Sequence, residues 1–232
     1  MSRQAVKQDA FRVEVPTPYF RICGVPYAGG VRTVDLCTTL LESRTQDEHA
    51  EHAAKARQDE FRACPAPFHY ALFRTLYSHR AGSQKEGIEQ VRLCLSAAFD
   101  EGLLATLSRV RWKSQGLDEV VHDYGLRSER IVRAILVGPD GYVGDRVTGA
   151  KTYVQKLLGT DDGVKKINSV FEWCVGESVL AYRMNEIPPR DDERVVALGV
   201  YDDGRFNLFA DVVIGVSRPA LGVRVVEKNF SS

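Results

Sequence analysis

Phe206-Asn207-Leu208-Phe209-Ala210-Asp211, followed by Val212-Val213-Ile214, is the stretch on which the reading of this chain turns. Successive side chains of a strand point to opposite faces. A strand that starts at Arg205 therefore puts Phe206, Leu208 and Ala210 on one face and Asn207, Phe209 and Asp211 on the other. The first set suits a core. The second turns an aromatic ring outward, and Val212-Val213-Ile214 carries the apolar character into a loop. A regular face backed by an irregular one suggests a scaffold that displays a surface, because exposed apolar clusters mark interaction sites.

Around this stretch an apolar strand pattern runs from Glu193 through Asp202-Asp203-Gly204 and on to Ala220-Leu221-Gly222-Val223-Arg224-Val225-Val226. Strands are expected at 178–184, 193–201, 205–211 and 220–227. Two helices precede them. Thr148–Leu158 ends at Gly159, and a second, capped by Asp161 or Asp162, carries Val164, Ile167, Val170 and Phe171 before Gly176. Earlier still, Leu103–Trp112 and Arg130–Val137 read as strands, with Gly138-Pro139-Asp140-Gly141 as a turn and a polar loop between the two.

Before Gly102 the period is mostly helical. Thr33 or Asp35 caps a segment through Leu36, Leu40 and Leu41, and Gln46–Arg62 is a polar surface helix ended by Pro65 and Pro67. Phe68–His79 follows, then Glu86–Asp100 with Ile88, Val91, Leu95 and Phe99 on one stripe. Residues 1–33, rich in Pro and Gly, read as an arm. The expected fold class is α+β: a mainly helical region over 1–102 with an extended arm, then a domain over 103–232 ordered strand, helix, helix, four antiparallel strands. Strand 130–137 and the closing strand are expected in one antiparallel sheet, with helices 148–158 and 162–175 against it.

Composition limits the function classes. Of 232 residues, 44% are hydrophobic and 27% charged, as in ordinary globular proteins. Thirty-one basic residues balance thirty-one acidic ones, thirteen of each before residue 103 and eighteen of each after it. No basic half exists to bind nucleic acid. No apolar run approaches the ~20 residues of a membrane span, so membrane insertion is not expected. The N-terminus lacks the apolar core of a signal peptide, which points to a cytoplasmic location, and assembly into a virion would need no signal either. Cys23, Cys37, Cys64, Cys94 and Cys174 are odd in number and widely spaced, and read as small buried hydrophobes.

Catalytic and metal motifs are weak. In Glu48-His49-Ala50-Glu51-His52 the histidines stand three apart, not four as around the glutamate of a zinc protease, and the surrounding helix is polar. His122-Asp123 could form an acid–base pair, but neighbours on a strand point to opposite faces. His69 and His79 suit packing or capping. Gly138, Gly141 and Gly144 do not match a dinucleotide-binding spacing. Neither a metal nor another cofactor is expected.

Three segments resemble the C-terminal part of C-type-lectin-fold variable proteins, the targets of diversity-generating retroelements: Arg194-Val195-Val196, Gly204-Arg205-Phe206-Asn207-Leu208-Phe209-Ala210 and Pro219-Ala220-Leu221-Gly222-Val223-Arg224-Val225. In that family a closing strand of Gly-hydrophobe-Arg type follows a stretch in which fixed core positions alternate with mutable exposed ones. The resemblance implies a C-type-lectin-like fold and a non-enzymatic protein that binds a macromolecular, protein-type ligand through the variable surface. The surface so implied comprises Val200, Tyr201, Asp202, Asp203, Asn207, Phe209, Asp211, Val212, Val213, Ile214 and Val216. The alternative is a small α+β enzyme using His122 and Asp123 in a cleft between the halves.

Overall fold

The computed structural model describes residues 11–144, 146–201 and 204–226. Its elements in chain order are β1 (Arg12–Glu14), β2 (Tyr19–Tyr27), β3 (Gly30–Arg44), α1 (Gln46–Lys55), α2 (Ala66–His79), α3 (Lys85–Asp100), β4 (Leu103–Trp112), β5 (Asp118–His122), β6 (Arg130–Ala134) and β7 (Gly141–Tyr142). There follow α4 (Ala150–Leu158), α5 (Val164–Val175), β8 (Leu180–Tyr182), β9 (Asp192–Val200), β10 (Phe206–Val213) and β11 (Arg218–Val226). The α+β class holds. The region before residue 103 is not mainly helical, however, because residues expected as an arm and a short helix form three antiparallel strands.

The reason lies in β3. Leu36, Leu40 and Leu41 do recur at helical spacing, but Val31, Thr33, Val34, Thr38 and Thr39 are β-branched and fit a pleated surface better. Pairing then decides. β3 has β2 on one edge and β11 on the other, in the four-stranded order β1-β2-β3-β11. Asp35 lies directly opposite Arg21 on β2 and Arg224 on β11. Its buried carboxylate accepts from Arg21 at 2.8 and 3.0 Å and from Arg224 Nε at 3.0 Å. The hydrogen bond to Asp35 is the main cause that raises the Arg21 pKa. Removing one partner of such a buried group strands the other charges, a cost of about 3–5 kcal/mol. The three strands are thereby locked in register.

The second sheet has seven strands in the order β6-β5-β4-β9-β10-β8-β7, antiparallel except where β8 runs parallel to β10. The expected pairing of strand 130–137 with the closing strand is not found. β6 is an edge strand of the seven-stranded sheet, whereas β11 is captured by β3 and Asp35 in the other. The polar loop expected between β4 and β6 contains β5. Val120 and Val121 are fully buried there, and Asp118 accepts backbone N–H bonds from Lys113 and Leu136 at 2.9 Å each.

Helices α2 to α5 bury their apolar faces in one core shared with both sheets. Ile88, Val91, Leu95 and Phe99 of α3 are all buried, and the Phe99 ring meets Phe206 edge-on at 5.0 Å. Phe171 of α5 approaches the same phenylalanine at 5.6 Å. Gly199 allows the start of β4 to come this close. A Cβ there would stand 2.1 Å from the Gly102 carbonyl oxygen, and its φ of +149° disfavours other residues.

The two sheets meet along the linker between α1 and α2. Arg62 and Val223 of β11 exchange backbone hydrogen bonds at 3.0 and 2.9 Å. Two residues on, the Cys64 carbonyl accepts from Leu107 N–H of β4 at 3.0 Å, and Ala66 N–H donates to Ser108 Oγ at 3.0 Å. Leu107 needs such a partner because the β4–β9 register shifts between Ala105 and Arg109. The bulge left there takes donors and acceptors from outside its own sheet. Gln46 of α1 donates to the carbonyls of Thr106 and Ser108 at 2.8 and 2.7 Å.

Core and hydrogen bonds thus cross residue 102 in many places. A chain of residues 103–232 alone is expected to lose the partners of β11, of the β4 bulge and of α5. In urea melts it should show no cooperative transition, where the full chain shows one.

Candidate functional site

The residues of β10 alternate between the core packed by the helices and a second cluster on the opposite sheet face. Phe206, Leu208 and Ala210 are fully buried against the helices, as the alternation requires. Phe209 does point the other way, but it is not displayed. It is 9% exposed and stacks on Tyr182 of β8, with centroids 4.6 Å apart and planes 4° from parallel. Leu103, Val195, Ala197 and Val212 complete a second, smaller cluster around it. A protein of this composition cannot leave a Phe in mid-sheet without neighbouring strands supplying apolar partners on that face too.

Val212 joins that cluster for a geometric reason. The register between β10 and β9 shifts between Phe209 and Val212, so Val212, opposite Val195, takes the face that strict alternation would have assigned to Asp211. Asp211 is exposed and pairs with Arg194 at 3.1 Å. Asn207 is fully buried; its amide donates to the Arg205 carbonyl at 2.6 Å, while Oδ1 has no protein partner. Display at Asn207, Phe209 and Val212 is therefore corrected to burial. Val200 is half-buried.

Besides Asp211, four positions of the expected surface are open: Tyr201 (43% exposed), Val213 (56%), Ile214 (36%) and Val216 (40%). The Tyr201 ring lies 5.2 Å from Phe209, tilted by 54°, and extends the aromatic cluster outward. Val213, Ile214 and Val216 stand at the other end of β10, where it turns towards β11. Asp202 and Asp203 lie outside the described residues. Tyr182 was missed in the sequence. Its only signal was an aromatic ring in the strand 178–184, and its partner depends on the parallel pairing of β8 with β10.

The rival site does not assemble as a pair. His122 is 1% exposed, and its Nε2–H donates to the Lys156 carbonyl at 3.0 Å. That fixes the tautomer, so Nδ1 accepts from the Ser108 hydroxyl at 3.0 Å, whose oxygen already accepts from Ala66 N–H. Both ring nitrogens are used, and burial pushes the imidazole down to about 4. Asp123, at φ 55°, turns away to Arg130 at 3.2 Å; burial raises its pKa against the opposing pull of that arginine. The His49 cluster is likewise dispersed. Glu48 closes a capping box with Thr45, and His49 donates from Nε2 to the Arg218 carbonyl at 2.9 Å. Among the described residues, no group of three or more His, Cys, Asp or Glu is placed to hold a metal ion. The Cys64 and Cys174 thiols are buried and pushed up to about 12, which makes them poor nucleophiles. Among the described residues no helix is long and apolar enough to cross a membrane.

Burial on both faces of β10 changes what mutation should do. Phe206→Ala is expected to cost about 3–5 kcal/mol, and Phe209→Ala, in a smaller cluster at the surface, about 2 kcal/mol; urea melts measure both. The histidines set a pH dependence. His69, 2% exposed with neither ring nitrogen bonded, is held by burial at about 4, like His122. The unfolded chain binds these protons near pH 6.5 and the folded chain only near 4, so stability is full above 6.5 and falls as pH drops towards 4. The loss is on the order of 3 kcal/mol per histidine at most. His69→Phe should remove one of the two contributions and flatten the urea-melt stability between pH 7 and 5. No protein-family model matches the chain, and comparisons with curated proteins and with solved structures find no match.

Proposed function

We propose that this protein is a non-enzymatic binding protein, a C-type-lectin-like scaffold that presents a surface along the β9–β10 hairpin to a protein ligand. The observation that carries the reading is the partly open aromatic cluster Tyr182, Phe209 and Tyr201, on a sheet face that α2 to α5 leave uncovered. Tyr supplies large, rigid contact area with a polar tip, which is why it is enriched in binding hot spots. Val213, Ile214 and Val216 add exposed apolar area further along the same strand and its following turn.

One further observation supports the scaffold. Core positions Phe206, Leu208 and Ala210 are fixed by packing, whereas Tyr201, Asp211, Val213, Ile214 and Val216 are exposed and free to change. In this reading the buried Asn207, Phe209 and Val212 support the surface from beneath.

Sequencing residues 193–226 from clonal relatives of one source tests the variable-protein reading. Differences should concentrate at Tyr201, Asp211, Val213, Ile214 and Val216, with Phe206, Leu208, Ala210 and Gly222 constant. Uniform or random variation would overturn it. The combined variant Tyr201→Ser, Val213→Ser, Ile214→Ser, Val216→Ser should stay folded, each change costing less than about 0.5 kcal/mol, and lose the partner that the unmodified chain retains in affinity capture. A folded variant that keeps the same partner would place binding elsewhere.

A further inference from the structure

A cavity of about 460 Å³ lies where the linker joining the two sheets passes under the β2–β3 turn. Its walls come from five segments: the β2–β3 hairpin with Tyr27 and Arg32, the linker 56–65, the start of α2 at Phe68, the stretch from Asp123 to Arg130, and Val225 of β11. This volume is within the range of small-molecule sites.

The charges decide the ligand class. Four arginines line the cavity (Arg32, Arg57, Arg62 and Arg130) against two carboxylates, Glu60 and Asp123. Arg57 pairs with Glu60 at 3.2 Å and Arg130 with Asp123 at 3.2 Å. Among the described residues, Arg32 and Arg62 have no carboxylate at ion-pair distance. Among the described residues the four arginines outnumber the two lining carboxylates, and guanidinium groups fit phosphate oxygens in bidentate geometry. Arg130 is already oriented, since its guanidinium donates to the Tyr27 hydroxyl at 2.9 Å, and the Tyr27 ring stands edge-on to Phe68 at 5.0 Å.

We propose that this cavity binds a phosphate monoester with an apolar or aromatic body, its phosphate held by Arg32 and Arg62 and its body against Pro65, Phe68 and Leu126. A phosphate monoester near pH 7 carries close to two negative charges, which matches the excess of four arginines over two carboxylates among the described lining residues; a carboxylate carries only one. The site is separate from the β9–β10 surface, and neither reading depends on the other.

Calorimetric titration of the full chain with phenyl phosphate at low salt tests the proposal. Saturable binding at one site is expected, weakened by about tenfold or more with benzoate or phenol in its place, and weakened by added salt. Inorganic phosphate should bind more weakly than phenyl phosphate because it leaves the apolar wall unused. Arg32→Gln and Arg62→Gln should each lower affinity by about fivefold or more, while Arg133→Gln, whose residue pairs with Glu119 outside the cavity, should not. Arg32 is exposed in the turn, so Arg32→Gln keeps the test open if Arg62→Gln does not fold. Absence of saturable phenyl phosphate binding, equal binding of benzoate, or binding unchanged in the folded Arg32→Gln variant would overturn the proposal.

Discussion

The backbone of Arg62 to Ala66 is the constraint on which the arrangement of the two sheets rests. On one side Arg62 exchanges hydrogen bonds with Val223 of β11; on the other, Cys64 and Ala66 engage Leu107 and Ser108 of β4. These partners are not interchangeable. The β4 bulge turns Leu107 N–H out of its own ladder, and a buried donor without a partner costs about 1–3 kcal/mol. The bulge therefore demands a carbonyl at one place, and the linker supplies it. Ser108 extends the same junction to His122, and His122 extends it to the Lys156 carbonyl of α4. A polar chain of this kind works only when every member is satisfied, and here each hydroxyl and ring nitrogen has its partner.

This junction explains why residues that looked chemical are structural. Ser108 and His122 sit at hydrogen-bonding distance, as a nucleophile and base would, yet both are enclosed and saturated by backbone groups. Low accessibility and a depressed pKa make the imidazole a fixed neutral acceptor. The groups left open to solvent have a different character. Tyr201 is open at the end of β9 and Val213, Ile214 and Val216 towards the far end of the hairpin, and a concave, arginine-lined site lies beside the junction itself. Rigid sheets hold both, while the residues that would contact a ligand lie on turns and strand ends, where change costs least stability.

Much of the fold was legible because period and punctuation agree locally. Helices α2 to α5 and strands β4, β9, β10 and β11 fall close to the expected spans, since Pro67, Gly159 and Gly176 mark boundaries and the apolar stripes are regular. The inward face of β10 was legible as well: Phe206, Leu208 and Ala210 follow from alternation alone. Tyr201, Val213, Ile214 and Val216 are open to solvent.

Long-range pairing decided the rest. Gly30–Arg44 is a strand because β2 and β11 flank it and Asp35 meets arginines from both, and no local window contains Arg21, Asp35 and Arg224 together. Phe209 is buried because Tyr182 arrives from a parallel neighbour and a register shift swings Val212 beneath it. The pairing of Arg57 with Glu60 was within reach of the sequence, but the convergence of Arg32, Arg62 and Arg130 on one cavity was not. Local sequence determined which segments form helices and which faces are apolar, because periodicity and capping act within a few residues. Tertiary structure alone decided which edges pair, which outward residues are covered and which charges remain unpaired, because those depend on groups brought together from distant parts of the chain.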